Sequence, residues 1–231
     1  MKIYGIYFVA LMFDNWFEIV NDQIKTLSMS SLFEKTEKLY VRVFYQKDTD
    51  VEEFKKLIHD LGKKIVVSYT NQNEYEYGAL KIIKNLSKNE NFYCYYLHSK
   101  GVSLTENTYK RHKLEIDYKL MTESIKSWRK YMEYFLINEH EKCINSLNSD
   151  FDVCGVQLRS TPRTNFLHFS GNFWWTKSDY VKKLPEIEDL DIDNRNLAEF
   201  WIGYGNGKYK NLYSTKQAGY RQVITEDYKK K

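Results

Sequence analysis

Over its first hundred residues the chain alternates short apolar runs with segments of helical periodicity, four times in succession. Ile3–Leu11 is a nine-residue run rich in Tyr, Ile, Phe and Val, the pattern of a strand buried on both faces, and Asp14 and Asn15 supply turn and cap chemistry before a helix over Trp16–Leu27. Lys38–Tyr45 alternates polar and apolar side chains as a second strand. Val51, Phe54, Leu57, Ile58 and Leu61 then give a helical stripe. Lys64–Tyr69 and Asn91–Leu97 read as the third and fourth strands, with a helix over Tyr75–Leu86 between them. Strand and helix alternating in this way predict an α/β fold: a mostly parallel sheet of βαβ units flanked by helices. Ligands of such sheets bind at the carboxyl ends of the strands.

After the fourth strand the pattern changes. Apolar residues at threes and fours predict one long helical region over His112–Leu147. Asp152–Leu158 reads as a strand, a loop carries Pro162, and Gly171–Trp175 is extended. Short helices are expected over Asp179–Leu184 and Asn196–Ile202, separated by an acidic loop at Asp191–Asp193. With two prolines, ten glycines, no internal repeat and no linker composition, the 231 residues are expected to form a single domain.

The formal charge of +4 favours anionic ligands without the strong basic footprint of a nucleic-acid-binding protein, so no nucleic-acid partner is expected despite the run Tyr109–Lys113. Cys94, Cys143 and Cys154 are odd in number and lack metal-binding spacing, which predicts reduced thiols and a cytoplasmic protein. No transmembrane segment is expected: the apolar opening stretch ends at Asp14 and is too short to span a bilayer.

Three groups of residues carry chemical potential. His98, Ser99, Lys100 and Gly101 follow the fourth strand, at the edge where a parallel sheet binds ligands, and can donate to phosphate oxygens. The segment His168–Trp175 interleaves polar donors with aromatic rings, a combination that suits sugars as well as cores; Trp174 and Trp175 would point to opposite faces, so at most one meets a ligand. Glu199, on the last helix, is the candidate catalytic base, with pairing to Arg195 one turn earlier as its structural alternative.

Together these features resemble the GT-A glycosyltransferases, in particular family 2-like enzymes and the rhamnan-synthesis (rhamnosyltransferase) proteins. Gly78-Ala79-Leu80 opens a helix as in family 2, and His98-Ser99-Lys100 with the later Gly171-Asn172-Phe173-Trp174 is similar to the tripeptide and Gly-x-x-Phe-Trp segment of the rhamnan group. The resemblance implies a single GT-A-like, Rossmann-related domain over 1–231, with a nucleotide-binding half in 1–101 and an acceptor-side half with the C-terminal tail in 102–231. It implies a hexosyltransferase of polysaccharide biosynthesis that moves a sugar, rhamnose being the natural guess, from a UDP- or dTDP-activated donor to a saccharide or glycan acceptor. Tyr7, Tyr69, Thr70 and Asn71 would flank the base, His98, Ser99 and Lys100 the diphosphate, and Gly171, Asn172 and Trp174 the donor–acceptor junction. Glu199 would be the catalytic base and Asp193 its reserve. The family's Asp-x-Asp is missing, which leaves two arrangements: Lys100 neutralises the diphosphate without a metal, or His98, with His168 or a carboxylate, binds Mn²⁺ or Mg²⁺. The alternative on the same fold is a catalytically inactive carbohydrate-binding module.

Overall fold

The computed structural model describes residues 1–111, 117–160, 167–217 and 222–230, with the Arg111 side chain also outside this set. The helix start expected at His112, the basic residues His112 and Lys113, the loop with Pro162, and Lys231 lie outside the described residues.

The expected alternation is present: β1 (Lys2–Leu11), α1 (Trp16–Ser28), β2 (Lys38–Tyr45), α3 (Asp48–Ile58), β3 (Ile65–Thr70), α4 (Tyr77–Asn89) and β4 (Phe92–His98), with a short α2 (Ser31–Lys35) before β2. These strands pair in parallel in the order β3-β2-β1-β4. Every residue of β4, and every residue of β1 after Lys2, is buried, because helices cover both faces of the sheet. This is why both strands read as unbroken apolar runs rather than as alternating ones.

The second half continues the same sheet. After α5 (Glu106–Arg111), α6 (Tyr118–Glu133) and α7 (His140–Asn148) come β5 (Val153–Gly155), β6 (Leu158–Ser160), β7 (Leu167–Phe169), β8 (Trp174–Lys177), α8 (Ser178–Val181), α9 (Arg195–Phe200) and β9 (Tyr209–Asn211). Among the described residues the main sheet is seven-stranded, in the order β3-β2-β1-β4-β8-β5-β9, and only β8 runs against the others. β6 and β7 form a separate antiparallel pair. The architecture is thus a mixed, mostly parallel sheet flanked by helices, Rossmann-like in general terms.

Two expectations change here. The long helix is interrupted by a π-helical turn at Tyr134–Asn138, from which α7 departs. The strand expected over Asp152–Leu158 is split into β5 and β6, with Gln157 between them in the left-handed region at φ 58°. Trp174 and Trp175 point to opposite faces as expected, but both are fully buried, since both faces of β8 are covered.

Candidate functional site

Strand order reverses direction at β1, from which β2 and β3 lie to one side and β4 to the other. At the carboxyl ends of β1 and β4 lies a cavity of about 410 Å³, in the place where open parallel sheets bind ligands. Phe8, Ala10 and Met12 enter it from β1 and the residue after it, Phe44 from β2, and Asn73, Tyr75 and Glu76 from the approach to α4. His98 and the turn through Ser99, Lys100 and Gly101 form its β4 side, and Arg195 reaches it from α9.

The turn after β4 is held from several directions. Ser99 donates its backbone N–H to Phe8 O at 3.0 Å, and its hydroxyl accepts from Ala10 N–H at 3.0 Å, joining the ends of β1 and β4. Gly101 adopts φ 99°, and a Cβ there would meet Ile125 Cγ2 at 2.9 Å, so both conformation and space call for glycine. Asn15 Nδ2 donates to Leu104 O at 3.1 Å, and Arg129 Nη1 to Lys100 O at 3.3 Å. Lys100 is buried, and its ammonium lies 4.6 Å from the centre of the Trp128 ring. A cation over an indole gains about 0.5–2 kcal/mol, which steadies the ammonium without cancelling its charge.

Beside this cation lies a buried polar network centred on Glu76, a residue that sequence reasoning missed. Glu76 Oε2 accepts from the Tyr96 hydroxyl at 2.7 Å and from Asn172 Nδ2 at 2.5 Å; Asn172 Oδ1 in turn accepts from Trp174 Nε1 at 2.7 Å. His98 Nε2 lies 3.0 Å from Gly171 O, and its Nδ1 lies 3.9 Å from Glu76 Oε1. Burial pushes the His98 imidazole below its usual range, partly opposed by the Glu76 carboxylate. Glu76 carries no local signature in the sequence, since a carboxylate before a helix is equally good as a dipole partner; only the fold sets it against His98.

Of the residues expected at the site, His98, Ser99 and Lys100 line the cavity. Gly171 and Asn172 stand behind His98 and Glu76 as hydrogen-bond partners, and Trp174 is buried beneath them, stacked on Tyr96 with ring centres 4.8 Å apart. Tyr7 does not reach the cavity: the pleat sends Phe8 and Ala10 toward it, while Tyr7 points to the other face and donates to Gln23 Oε1 at 2.9 Å. Tyr69 and Thr70 end the outermost strand and Asn71 follows it; none is part of the cavity wall, which this segment joins at Asn73. Glu199 is half-buried on α9, close enough to act electrostatically on His98 and Tyr96, and no ion pair joins it to Arg195 among the described residues. Asp193 is exposed in the preceding turn, where its N–H donates to Asp191 Oδ1 at 3.2 Å. His168 packs edge-on against Phe200 in the β6–β7 pair rather than beside His98. Among the described residues no group of three or more His, Cys, Asp or Glu side chains could hold a metal ion. His98 could offer a metal only Nδ1, since Nε2 is engaged by Gly171 O.

The family described as "Domain of unknown function (DUF8361)" matches residues 4–224, nearly the whole chain. The chain belongs to this family. No curated protein matches the sequence. Among solved structures, similarity is found to a 4-diphosphocytidyl-2C-methyl-D-erythritol synthase from Anaerococcus prevotii, at 10% identity and a TM-score of 0.48 over 98% of this chain and 92% of that one. It is found also to HddC from Yersinia pseudotuberculosis, at 15% identity and a TM-score of 0.46 over 100% of this chain and 97% of that one. The same protein complexed with GMP-PN gives 14% and 0.41, with the same coverage.

These findings correct the reading as a glycosyltransferase. These solved structures are a diphosphocytidyl-methylerythritol synthase and HddC, neither of them a family 2 or rhamnan-synthesis glycosyltransferase. With that resemblance go the hexosyltransferase activity, the UDP- or dTDP-sugar donor and the glycan acceptor. No helix among the described residues is long and apolar enough to cross a membrane.

Proposed function

We propose that the cavity between β1 and β4 binds a nucleoside phosphate, with its phosphates toward Lys100 and Arg195 and its base against the apolar wall of Phe8, Phe44 and Tyr75. The observation that carries this reading is the buried Lys100 ammonium in a cavity at the reversal of strand order, beside the end of β4. A fixed cation in a partly water-excluded cavity acts more strongly on a phosphate than the same charge in solvent. Arg195 adds a second positive group from α9, and its planar fork suits phosphate oxygens. Chemistry at phosphorus in this cavity would have its developing negative charge met by these two side chains.

The same reading takes residues 1–231 as one domain, supported by a single sheet that joins β1–β4 to β8, β5 and β9. A cytoplasmic setting is supported by Cys94, Cys143 and Cys154, all buried and all free thiols.

Calorimetric titration with the four ribonucleoside triphosphates and with inorganic tripolyphosphate, in Mg²⁺ and in EDTA, tests the proposal on the native chain and on Lys100→Met. At least one triphosphate should bind, with affinity falling about tenfold or more in the variant, the worth of one charge-assisted contact. Absence of binding by every one of these ligands would overturn the reading.

A further inference from the structure

His98 and Glu76 face each other as two acceptors. A backbone carbonyl only accepts hydrogen bonds, so the 3.0 Å contact with Gly171 O requires His98 Nε2 to carry a hydrogen. The largest influence on this imidazole is burial, which favours the neutral ring; Glu76 and Glu199 oppose it and Lys100 reinforces it. A neutral ring protonated at Nε2 presents a bare lone pair at Nδ1. That lone pair looks toward Glu76 Oε1, 3.9 Å away, too far for a shared hydrogen bond. The other carboxylate oxygen is already taken by Tyr96 and Asn172, whereas Oε1 makes no hydrogen bond among the described residues. Both side chains line the cavity. The fold therefore fixes two acceptors side by side on one wall, with no donor between them among the described residues.

Groups of this kind are completed by whatever enters the cavity. A single hydroxyl has one hydrogen and serves one acceptor only. An ammonium group could serve both, but it would enter a cavity already lined by Lys100 and Arg195, where a further positive charge is disfavoured. Two hydroxyls on adjacent carbons each turn one hydrogen outward, and so satisfy two neighbouring acceptors at once.

We propose that Glu76 Oε1 and His98 Nδ1 accept the two hydroxyl hydrogens of a vicinal diol, the 2′,3′-diol of the ribose, so that the cavity selects ribonucleotides. This rests on the nucleoside-phosphate reading and adds the group that fixes the sugar. Asn172, Tyr96 and Gly171 are positioning residues: they hold the carboxylate and the ring so that the two acceptors point into the cavity.

The test compares the tightest-binding ribonucleoside triphosphate with its 2′,3′-dideoxy counterpart and with tripolyphosphate, on the native chain and on Glu76→Gln. In the variant the amide oxygen must take the side facing Tyr96 and Asn172, so an NH₂ donor replaces Oε1. The native chain should prefer the ribonucleotide by about ten- to a hundredfold, the worth of hydrogen bonds to otherwise unpaired acceptors, and the preference should fall below about threefold in the variant. ¹⁵N spectra of His98 in the native chain give a readout that survives a poorly folded variant: the Nδ1 resonance should move with the ribonucleotide and stay in place with the dideoxynucleotide. Equal affinity for the two nucleotides would overturn the diol assignment while leaving the nucleoside-phosphate site standing. So would a preference that persists in a folded Glu76→Gln. Failure of all three ligands to bind would remove both.

Discussion

The Asn172 side-chain amide donates to Glu76 Oε2 at 2.5 Å, and the geometry at Asn172 makes this contact possible. Asn172 is buried at φ 57°, in the left-handed region that asparagine enters more readily than most residues, and its Oδ1 accepts from Trp174 Nε1. Asn172→Ala removes a hydrogen bond to a buried carboxylate, leaves the Trp174 N–H unpaired and strains the backbone. Chemical denaturation should show a loss of about 3 kcal/mol or more. Asn172→Gly loses the same hydrogen bonds without the strain and should be about 1 kcal/mol more stable than the alanine variant. Asn172→Asp, which sets a second carboxylate against Glu76, should be the least stable of the three.

Burial lowers the folded-state pKa of His98, so the unfolded chain binds a proton that the folded chain refuses. Stability contributed by the neutral ring is fully present above the unfolded value of about 6.5 and is lost as pH falls through it toward the depressed folded value. Glu133 works in the opposite sense: burial raises its carboxyl, so its protonated form favours the folded state and stability declines as pH rises above its unfolded value of about 4.5. Unfolding free energies of the native chain and of His98→Gln, measured from pH 5 to 7.5, separate the two. Their difference should rise with pH by no more than about 1.4 kcal/mol per unit and flatten above about pH 7. A flat difference across the range would contradict the burial of a neutral imidazole.

Gly171 presents its carbonyl to His98 from a backbone at φ 96°, and a Cβ there would run into Met132 Sδ and approach Trp128. Gly171→Ala should therefore cost about 2–4 kcal/mol from combined strain and overlap. Met132→Ala opens the space but not the dihedral. A double-mutant cycle should recover about half of the Gly171→Ala loss relative to Met132→Ala alone, and full additivity would show that the methionine is not the obstacle.

The strands that build the cavity were legible because burial on both faces leaves runs such as Phe92–His98 almost wholly apolar, and because their carboxyl ends are where a parallel sheet places its ligands. His98, Ser99 and Lys100 stand at that edge and line the cavity. The resemblance sets Tyr7 at the base, whereas its side chain points to the other face; an unbroken apolar strand gives no alternation from which to read which side chains face the cavity. Glu76 and Arg195 were not legible as cavity residues, since nothing local distinguishes them from ordinary helix-end and helix-face charges. The break at Tyr134–Asn138 was hidden for a related reason: it contains no Gly or Pro, and a π turn shifts the apolar stripe without interrupting it.

Arg129 links the cavity to a buried charge cluster, and its removal should be far more costly than removal of the whole pair. Its side chain is 4% exposed and that of Glu133 1%, with Arg129 Nε 3.4 Å from Glu133 Oε1. Arg129 Nη2 donates to Asp22 Oδ2 at 3.0 Å and Nη1 to Lys100 O at 3.3 Å. Lys130, one-third exposed, also contacts Asp22 and Glu133, at 2.7 and 3.4 Å. Arg129→Met strands Glu133 in the interior with only the one-third-exposed Lys130 as counter-charge, and should cost about 3–5 kcal/mol. Arg129→Met with Glu133→Leu replaces the pair by apolar side chains of similar size and should recover most of that loss, because neither charge then remains to be desolvated. Arg129→Lys should recover less than the double variant, since a single ammonium cannot reach Asp22, Glu133 and the Lys100 carbonyl together. Urea unfolding of the three variants decides the order. If the double variant is as unstable as Arg129→Met, the cost lies in the lost contact with the turn at Lys100 rather than in the stranded carboxylate, and its triphosphate affinity should then fall in parallel.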